Sequence, residues 1–266
     1  MPIVLASTAI AAYIAAALWQ AHELAKASGE ARAPAGMALI AALLHVSAHI
    51  VSWHVSGGIE LHFFTALSLI GLGTAALTAG LALSRAIGAL GVTAYPIAAV
   101  MLALYAYLPF APRTAQALGW QIQLHAGLAL LAYAALSLAA LLAIALWLQE
   151  RALRQRRLGA MLRAFPPLTL VETLMFRLIF AGFALLTLAL MTGVVFVENL
   201  FAQHLVHKTV LSLLAWGIFG ALLMGRVFHG WRGRRAVRLT LTAMVLLGMA
   251  FFGSKFVLEL VLARSG

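Results

Sequence analysis

Residues 192–235 read TGVVFVENLFAQHLVHKTVLSLLAWGIFGALLMGRVFHGWRGRR. The stretch contains two apolar runs, separated by a short loop that carries His204 and His207 and followed by the basic sequence GWRGRR. An apolar run of about 20 residues is long enough to cross the hydrocarbon of a bilayer as a helix. Basic residues gather on the cytoplasmic side of such spans. The stretch therefore predicts a membrane hairpin with imidazoles at the outer surface and arginines at the inner surface.

The composition extends this interpretation to the whole chain. Of its 266 residues, 64% are hydrophobic and only 9% are charged, and the mean hydropathy is +1.03. Soluble domains carry about 25% charged residues, so a soluble globular fold is excluded. The net charge of +11 comes from arginines in short loops, which favours orientation in a bilayer over nucleic-acid binding. The absence of cysteine excludes disulfides, thiolate metal sites and haem attachment through CxxCH.

Hydropathy predicts an all-α, polytopic helical bundle that forms a single integral membrane domain over residues 1–266. The criterion of about 20 apolar residues gives eight spans, at about 3–20, 37–54, 62–83, 87–109, 122–147, 176–198, 208–228 and 237–261. Fourteen Lys and Arg residues fall in loops on one side and three on the other, while Lys255 lies inside the last span. Both termini are therefore expected outside the cytoplasm.

Nine histidines against seven carboxylates make imidazole the main candidate for chemistry. His45 and His49 are four residues apart and share one face of the second span, with His45 near the bilayer centre. A polar ring in hydrocarbon is costly without a partner, and it is a functional candidate by default. The structural alternative is a hydrogen bond to a neighbouring helix carbonyl or to Ser47 or Ser52.

Three other positions are candidates of the same kind. His125 lies one turn inside the fifth span, in LHAGLALLAYAAL, where Gly127 and the alanines leave room beside its ring; close helix packing is the alternative. His204 and His207 are compatible with a shared metal or with ordinary interfacial histidines, and no HExxH motif is formed. Lys255 and Glu259 favour an ion pair across one helical turn over a propionate or proton site.

Four segments together resemble one known family. LHAGLALLAYAAL at 124–136, HKTVLSLLAW at 207–216, GWRGRRA at 230–236 and FFGSKFV at 251–257 look like the cytochrome c assembly family. Within it, they are most similar to the compact eight-span membrane proteins of the HemX and YpjD type that are related to CcsA. The resemblance covers nearly the whole chain, and it implies a multi-pass protein of the bacterial inner membrane.

The resemblance implies a protein that handles haem. His125 and His45 match family histidines, so they are the expected axial ligands of a non-covalent haem b, with His207 as a third cofactor-binding residue. The loop at 198–209, ENLFAQHLVHKT, has neither the tryptophans nor the aspartate of the family's synthases, and Met224 stands where synthases carry a histidine. These departures argue against enzymatic haem attachment and leave haem binding in place.

Three functions remain open at this stage. The first is an accessory, haem-transfer or regulatory role in cytochrome c or haem metabolism, in which His45 and His125 share one iron or each pair with another residue. The second is a proton-coupled transporter that uses His45, His49 and Lys255, and the third is a divergent cytochrome c haem lyase. The expected partners are the lipid bilayer, haem and other cytochrome-assembly or haem-pathway proteins, without nucleic acid.

Overall fold

The computed structural model of the protein describes residues 1–26, 31–59, 61–84, 87–108, 119–156, 166–196 and 206–253. These ranges are helical and contain no β-strand. Their helices are α1 (Pro2–Ala25), α2 (Arg32–Ser56), α3 (Phe63–Ser84), α4 (Gly91–Tyr107), α5 (Trp120–Arg154), α6 (Leu168–Phe196), α7 (Val206–His229) and α8 (Gly233–Gly248). A short 3-10 turn (Gly88–Leu90) precedes α4, and a π-helical turn (Met249–Gly253) follows α8.

The helices confirm the prediction of a polytopic membrane protein. Seven of them, α1 to α7, are long and apolar enough to cross a membrane when the 3-10 turn is counted with α4 (Gly88–Tyr107), and they overlap the first seven predicted spans. The eighth predicted span, 237–261, begins in α8, and its last eight residues, 254–261, lie outside the described residues. Helix α5 has 35 residues and is about 50 Å long, so it exceeds the roughly 30 Å of hydrocarbon. Its basic end, which carries Arg151 and Arg154, therefore extends beyond the membrane.

Contacts divide the chain into two compact units, of which the first comprises residues 1–118 and 149–171. Within it, α1 packs against α2 and α4, and α3 packs against α2 and α4. Its buried positions are rich in alanine, which allows the close helix approach typical of membrane proteins. A Cβ added at Gly71 would lie 2.9 Å from Met101 Sδ, whereas one at Gly80 would meet nothing within 4 Å. Gly71 therefore lies at a close contact between α3 and α4.

The second unit comprises residues 119–148 and 172–266. Tyr133 on α5 donates a 2.6 Å hydrogen bond to the Leu247 carbonyl at the end of α8. Trp216 Nε1 on α7 donates to Thr187 Oγ1 on α6 at 2.8 Å. These interhelical bonds satisfy polar groups that would otherwise be costly in lipid. That the two units form one integral membrane domain stays a prediction.

Candidate functional site

His45 lies in the interior of the first unit, where it has no exposed surface. Its Nε2 is 2.8 Å from Ser68 Oγ on α3, and its Nδ1 is 3.5 Å from Tyr13 Oη on α1. Both ring nitrogens are therefore within hydrogen-bonding distance of a neighbouring helix. A buried imidazole with two partners costs little to keep in hydrocarbon.

His49 lies one turn further along α2 and is equally buried. Its Nε2 is 3.0 Å from the same Ser68 Oγ, and its ring centre is 4.3 Å from that of Tyr105 on α4. A hydroxyl has one proton and two lone pairs, so Ser68 can donate to at most one imidazole and accepts from at least one of them. His49 Nδ1 is buried and has no hydrogen-bond partner among the described residues. The two histidines thus form one polar cluster with Ser68 and Tyr13.

The sequence did not identify the partners of this cluster. Ser47, one of the two serines considered, donates its hydroxyl to the Leu43 carbonyl on its own helix. The partners observed, Ser68 and Tyr13, lie on α3 and α1. Each is a polar side chain inside an apolar span, and this is the signal that could have marked them as candidates.

His125 lies near the start of α5 in the second unit and is half-buried. Its Nδ1 is 2.9 Å from the Ala189 carbonyl oxygen and 3.2 Å from Thr192 Oγ1, both on α6. A carbonyl oxygen can only accept, so Nδ1 carries the proton. The Thr192 hydroxyl is directed to the carbonyls of its own helix, at 2.9 Å from Ala189 O, and is therefore an acceptor for His125 as well.

The remaining nitrogen of His125 is available to a ligand. With the proton on Nδ1, the neutral ring presents the lone pair of Nε2, and no described residue is hydrogen-bonded to that atom. A histidine whose Nδ1–H is bound to a backbone carbonyl and whose Nε2 is free has the form of a metal-ligating imidazole. The hydrogen bond fixes both the tautomer and the ring orientation.

Two glycines near His125 in the structure differ in what lies beside them. A Cβ added at Gly193 on α6 would lie 3.1 Å from His125 Cε1, so the ring lies directly against the Gly193 backbone. A Cβ added at Gly127 would meet nothing within 4 Å. The structure thus places the Gly193 backbone against one edge of the imidazole. Gly127, two residues further along α5, lies on another side of the helix and does not flank the ring.

The other predicted positions differ in their surroundings. His207 lies in the first turn of α7 and is exposed. His204, Lys255 and Glu259 lie outside the described residues. Within the ranges that the structure describes, no group of three or more His, Cys, Asp or Glu side chains could hold a metal ion. A single imidazole that ligates the iron of a macrocycle needs no such group.

Of the predicted haem ligands, His125 fits iron ligation best as it stands. His45 would have to exchange one of its two hydrogen bonds for the metal. Apolar helices of membrane-spanning length, with imidazoles held at helix contacts, define a polytopic membrane protein.

The comparison with protein families identifies the class further. The family model described as "Cytochrome C assembly protein" matches residues 33–262, which include His45, His125 and His207. The chain belongs to the cytochrome c assembly protein family. The resemblance predicted from the sequence motifs is thereby confirmed.

Individual relatives are similar over parts of the chain. It is 38% identical over 167 residues to "Inner membrane protein YpjD" of Escherichia coli strain K12, covering 63% of each chain. It is 31% identical over 91 residues to "Cytochrome c biogenesis protein CcsA" of Gloeobacter violaceus, covering 34% of this chain and 27% of the relative. The aligned region thus spans less than two thirds of these relatives. With the seven apolar helices, the first relative confirms a multi-pass inner-membrane protein. No solved structure matches the chain significantly.

Proposed function

We propose that this protein binds haem b non-covalently, with His125 as an axial ligand, and has an accessory, haem-transfer or regulatory role in cytochrome c assembly. The observation that carries the proposal is the His125 imidazole, whose proton is held on Nδ1 by the Ala189 carbonyl while Nε2 has no hydrogen-bond partner among the described residues. Membership of the cytochrome c assembly family supports haem as the ligand. Other cytochrome-assembly or haem-pathway proteins are the proposed partners.

Each residue near the ring has a defined part in this proposal. Haem, when bound, supplies an iron centre that accepts an imidazole nitrogen and exchanges electrons. The Ala189 carbonyl orients the ring and raises the basicity of Nε2. Thr192 provides a second acceptor for the same proton, and Gly193 allows the ring to approach α6.

His45 and His207 are proposed as further cofactor-binding residues. His45 would release the Ser68 hydroxyl in exchange for iron, after which Ser68 would still contact His49. His207 is exposed and can reach a ligand without breaking a described contact of its ring. Substituting His45 or His207 distinguishes haem iron held by His125 alone from haem iron held by His125 and a second histidine.

Absorption spectroscopy of the purified protein tests the proposal. Wild type expressed with adequate haem supply is expected to show a b-type Soret band, and His125→Ala to lose most of it. His54→Ala is the matched control, because His54 is an exposed histidine in the last turn of α2. His125→Gly with added imidazole is expected to recover the band, since free imidazole can replace the deleted ring. Equal spectra in wild type and His125→Ala would contradict the assignment.

The haem environment also responds to positioning residues. Gly193→Ala places a methyl group 3.1 Å from His125 Cε1 and is expected to shift or broaden the Soret band without removing it. Gly127→Ala is the control, because nothing lies within 4 Å of its added Cβ. Equal changes in the two variants would show that the contact with Gly193 does not position the ring.

One observation favours a second function, proton-coupled transport. Ser68 is within hydrogen-bonding distance of both imidazoles of α2, and Tyr13 adds a fourth group to this series of hydrogen bonds. Hydroxyls and neutral imidazoles can each donate or accept, so the direction of donation along the series can reverse. A colourless preparation with pH-dependent flux in liposomes would favour this function over haem binding. Haem attachment to a supplied apocytochrome, in a host without its own assembly system, would instead indicate a haem lyase.

A further inference from the structure

A cavity of about 570 Å³ lies at the junction of α7 and α8 in the second unit. One wall is apolar and consists of Ile218 and Ala221 on α7 and Leu239 on α8. The Trp231 indole, which is half-buried, forms part of the lining between the two helices. The charge count places this junction on the cytoplasmic side, where an apolar wall next to an indole is typical of the membrane interface.

The rest of the lining is strongly basic. Arg234, Arg235 and Arg238 line the cavity, and all three are exposed. The Arg235 guanidinium lies 4.4 Å from the centre of the Trp231 ring. None of the three arginines forms an ion pair with a described residue. The cavity therefore presents three positive charges beside an apolar wall.

Two arginines near the cavity have their positive charge balanced by a carboxylate. Arg226 and Arg232 lie 2.9 Å and 3.7 Å from Glu172 Oε1. The Glu172 carboxylate thus pairs with both of these arginines. The described first turn of α8 contains no acidic residue that could pair with the arginines of the cavity. The charge of the three lining arginines remains available to an anion.

The turn before α8 holds Trp231 in place. Gly230 has a φ of +63°, which glycine adopts without strain. The Trp231 amide donates a 3.1 Å hydrogen bond to the Gly225 carbonyl. A Cβ at Gly225 would overlap the indole ring, so a glycine is required for the indole to lie on α7. Gly225 and Gly230 therefore hold Trp231 in its place in the lining of the cavity.

We propose that this cavity binds an anionic phospholipid of the inner leaflet, with the phosphate at the arginines and the start of an acyl chain on the apolar wall. Guanidinium groups pair with phosphate through two parallel hydrogen bonds, and arginine stems also cover apolar surface. Basic pockets between membrane helices on the cytoplasmic side suit anionic head groups. The proposal does not depend on haem binding.

The test uses the full-length protein in detergent micelles and phosphatidylglycerol with a fluorescent acyl chain. The triple variant R234Q/R235Q/R238Q is expected to bind it at least about tenfold more weakly than wild type. The control R151Q/R154Q/R156Q removes the same charge from the basic end of α5 and is expected to bind as wild type does. Arg238→Gln alone is expected to weaken binding about threefold or more, and it keeps the test available if the triple variant does not fold.

Four results would overturn the proposal. Equal weakening in the two triple variants would assign the effect to overall charge, and equal binding of phosphatidylcholine would remove the role of the anionic head group. Competition by inorganic phosphate at concentrations near those of the lipid would mean that the acyl chain does not contribute. Displacement of the lipid by stoichiometric haem would make the cavity a site for haem carboxylates instead.

Discussion

Replacing Ser68 with alanine removes a hydroxyl that contacts both buried imidazoles of α2. The Ser68 Oγ lies 2.8 Å from His45 Nε2 and 3.0 Å from His49 Nε2, and neither ring has exposed surface. His49 already has an unpaired Nδ1 among the described residues. The Ser68→Ala variant would leave the His49 ring without a hydrogen bond to a described residue at either nitrogen. Water cannot replace the lost bond, because it is absent from a helix contact in hydrocarbon.

The expected loss follows from the number of bonds. Interhelical hydrogen bonds in membranes are worth about 0.6 to 1.7 kcal/mol each. Two such bonds give a loss of about 1 to 3 kcal/mol in the free energy of unfolding. Ser47→Ala on α2 is the matched control, because within the described residues the Ser47 hydroxyl bonds only to the Leu43 carbonyl of its own helix. Its expected effect is below about 0.5 kcal/mol, since the carbonyl keeps its helical partner.

Unfolding by SDS in mixed micelles, followed by tryptophan fluorescence, measures both variants against wild type. The midpoint is expected to fall clearly for Ser68→Ala and to stay near that of wild type for Ser47→Ala. If the two variants unfold together, the shared hydroxyl does not stabilise the contact between α2 and α3.

Further variants test the packing and the charges with the same measurement. Gly71→Ala is expected to lower the free energy of unfolding by about 1 to 2 kcal/mol, because its methyl group would meet Met101, whereas Gly80→Ala is expected to leave it unchanged. A similar loss in both would refute the close contact. Glu172→Gln is expected to cost about 1 to 2 kcal/mol, because two arginines lose their carboxylate. Glu150→Gln, which breaks a 3.9 Å pair with the exposed Arg154, is expected to cost under about 0.5 kcal/mol; equal losses would contradict this reasoning.

The spans could be predicted from the sequence because the length and hydropathy of a segment are local properties. The same holds for the basic extension of α5, which follows from the charges after the apolar run. The close contact at Gly71 and the open position at Gly80 could not be distinguished, since both lie in one small-residue segment. Which of them faces α4 depends on the rotation of α3, which only packing determines.

For the candidate site, too, some features could be predicted from the sequence and others could not. The depth of His45 was predictable from its place in the second span, but its bond to Ser68 joins residues on two helices. His125 was identified as a candidate from its position and neighbours. The group that fixes its tautomer is the Ala189 carbonyl, and a backbone carbonyl has no signature in the sequence because every residue has one.

The central claim is that Nε2 of His125, which has no hydrogen-bond partner in the part of the chain that the structure describes, binds haem iron. The reduced-minus-oxidised absorption spectrum of wild type, recorded beside that of His125→Ala at equal protein concentration, tests it most directly. The proposal predicts b-type Soret and α bands in wild type and their loss in the variant. A wild-type spectrum without haem bands after expression with added haem, or identical bands in both proteins, would contradict it.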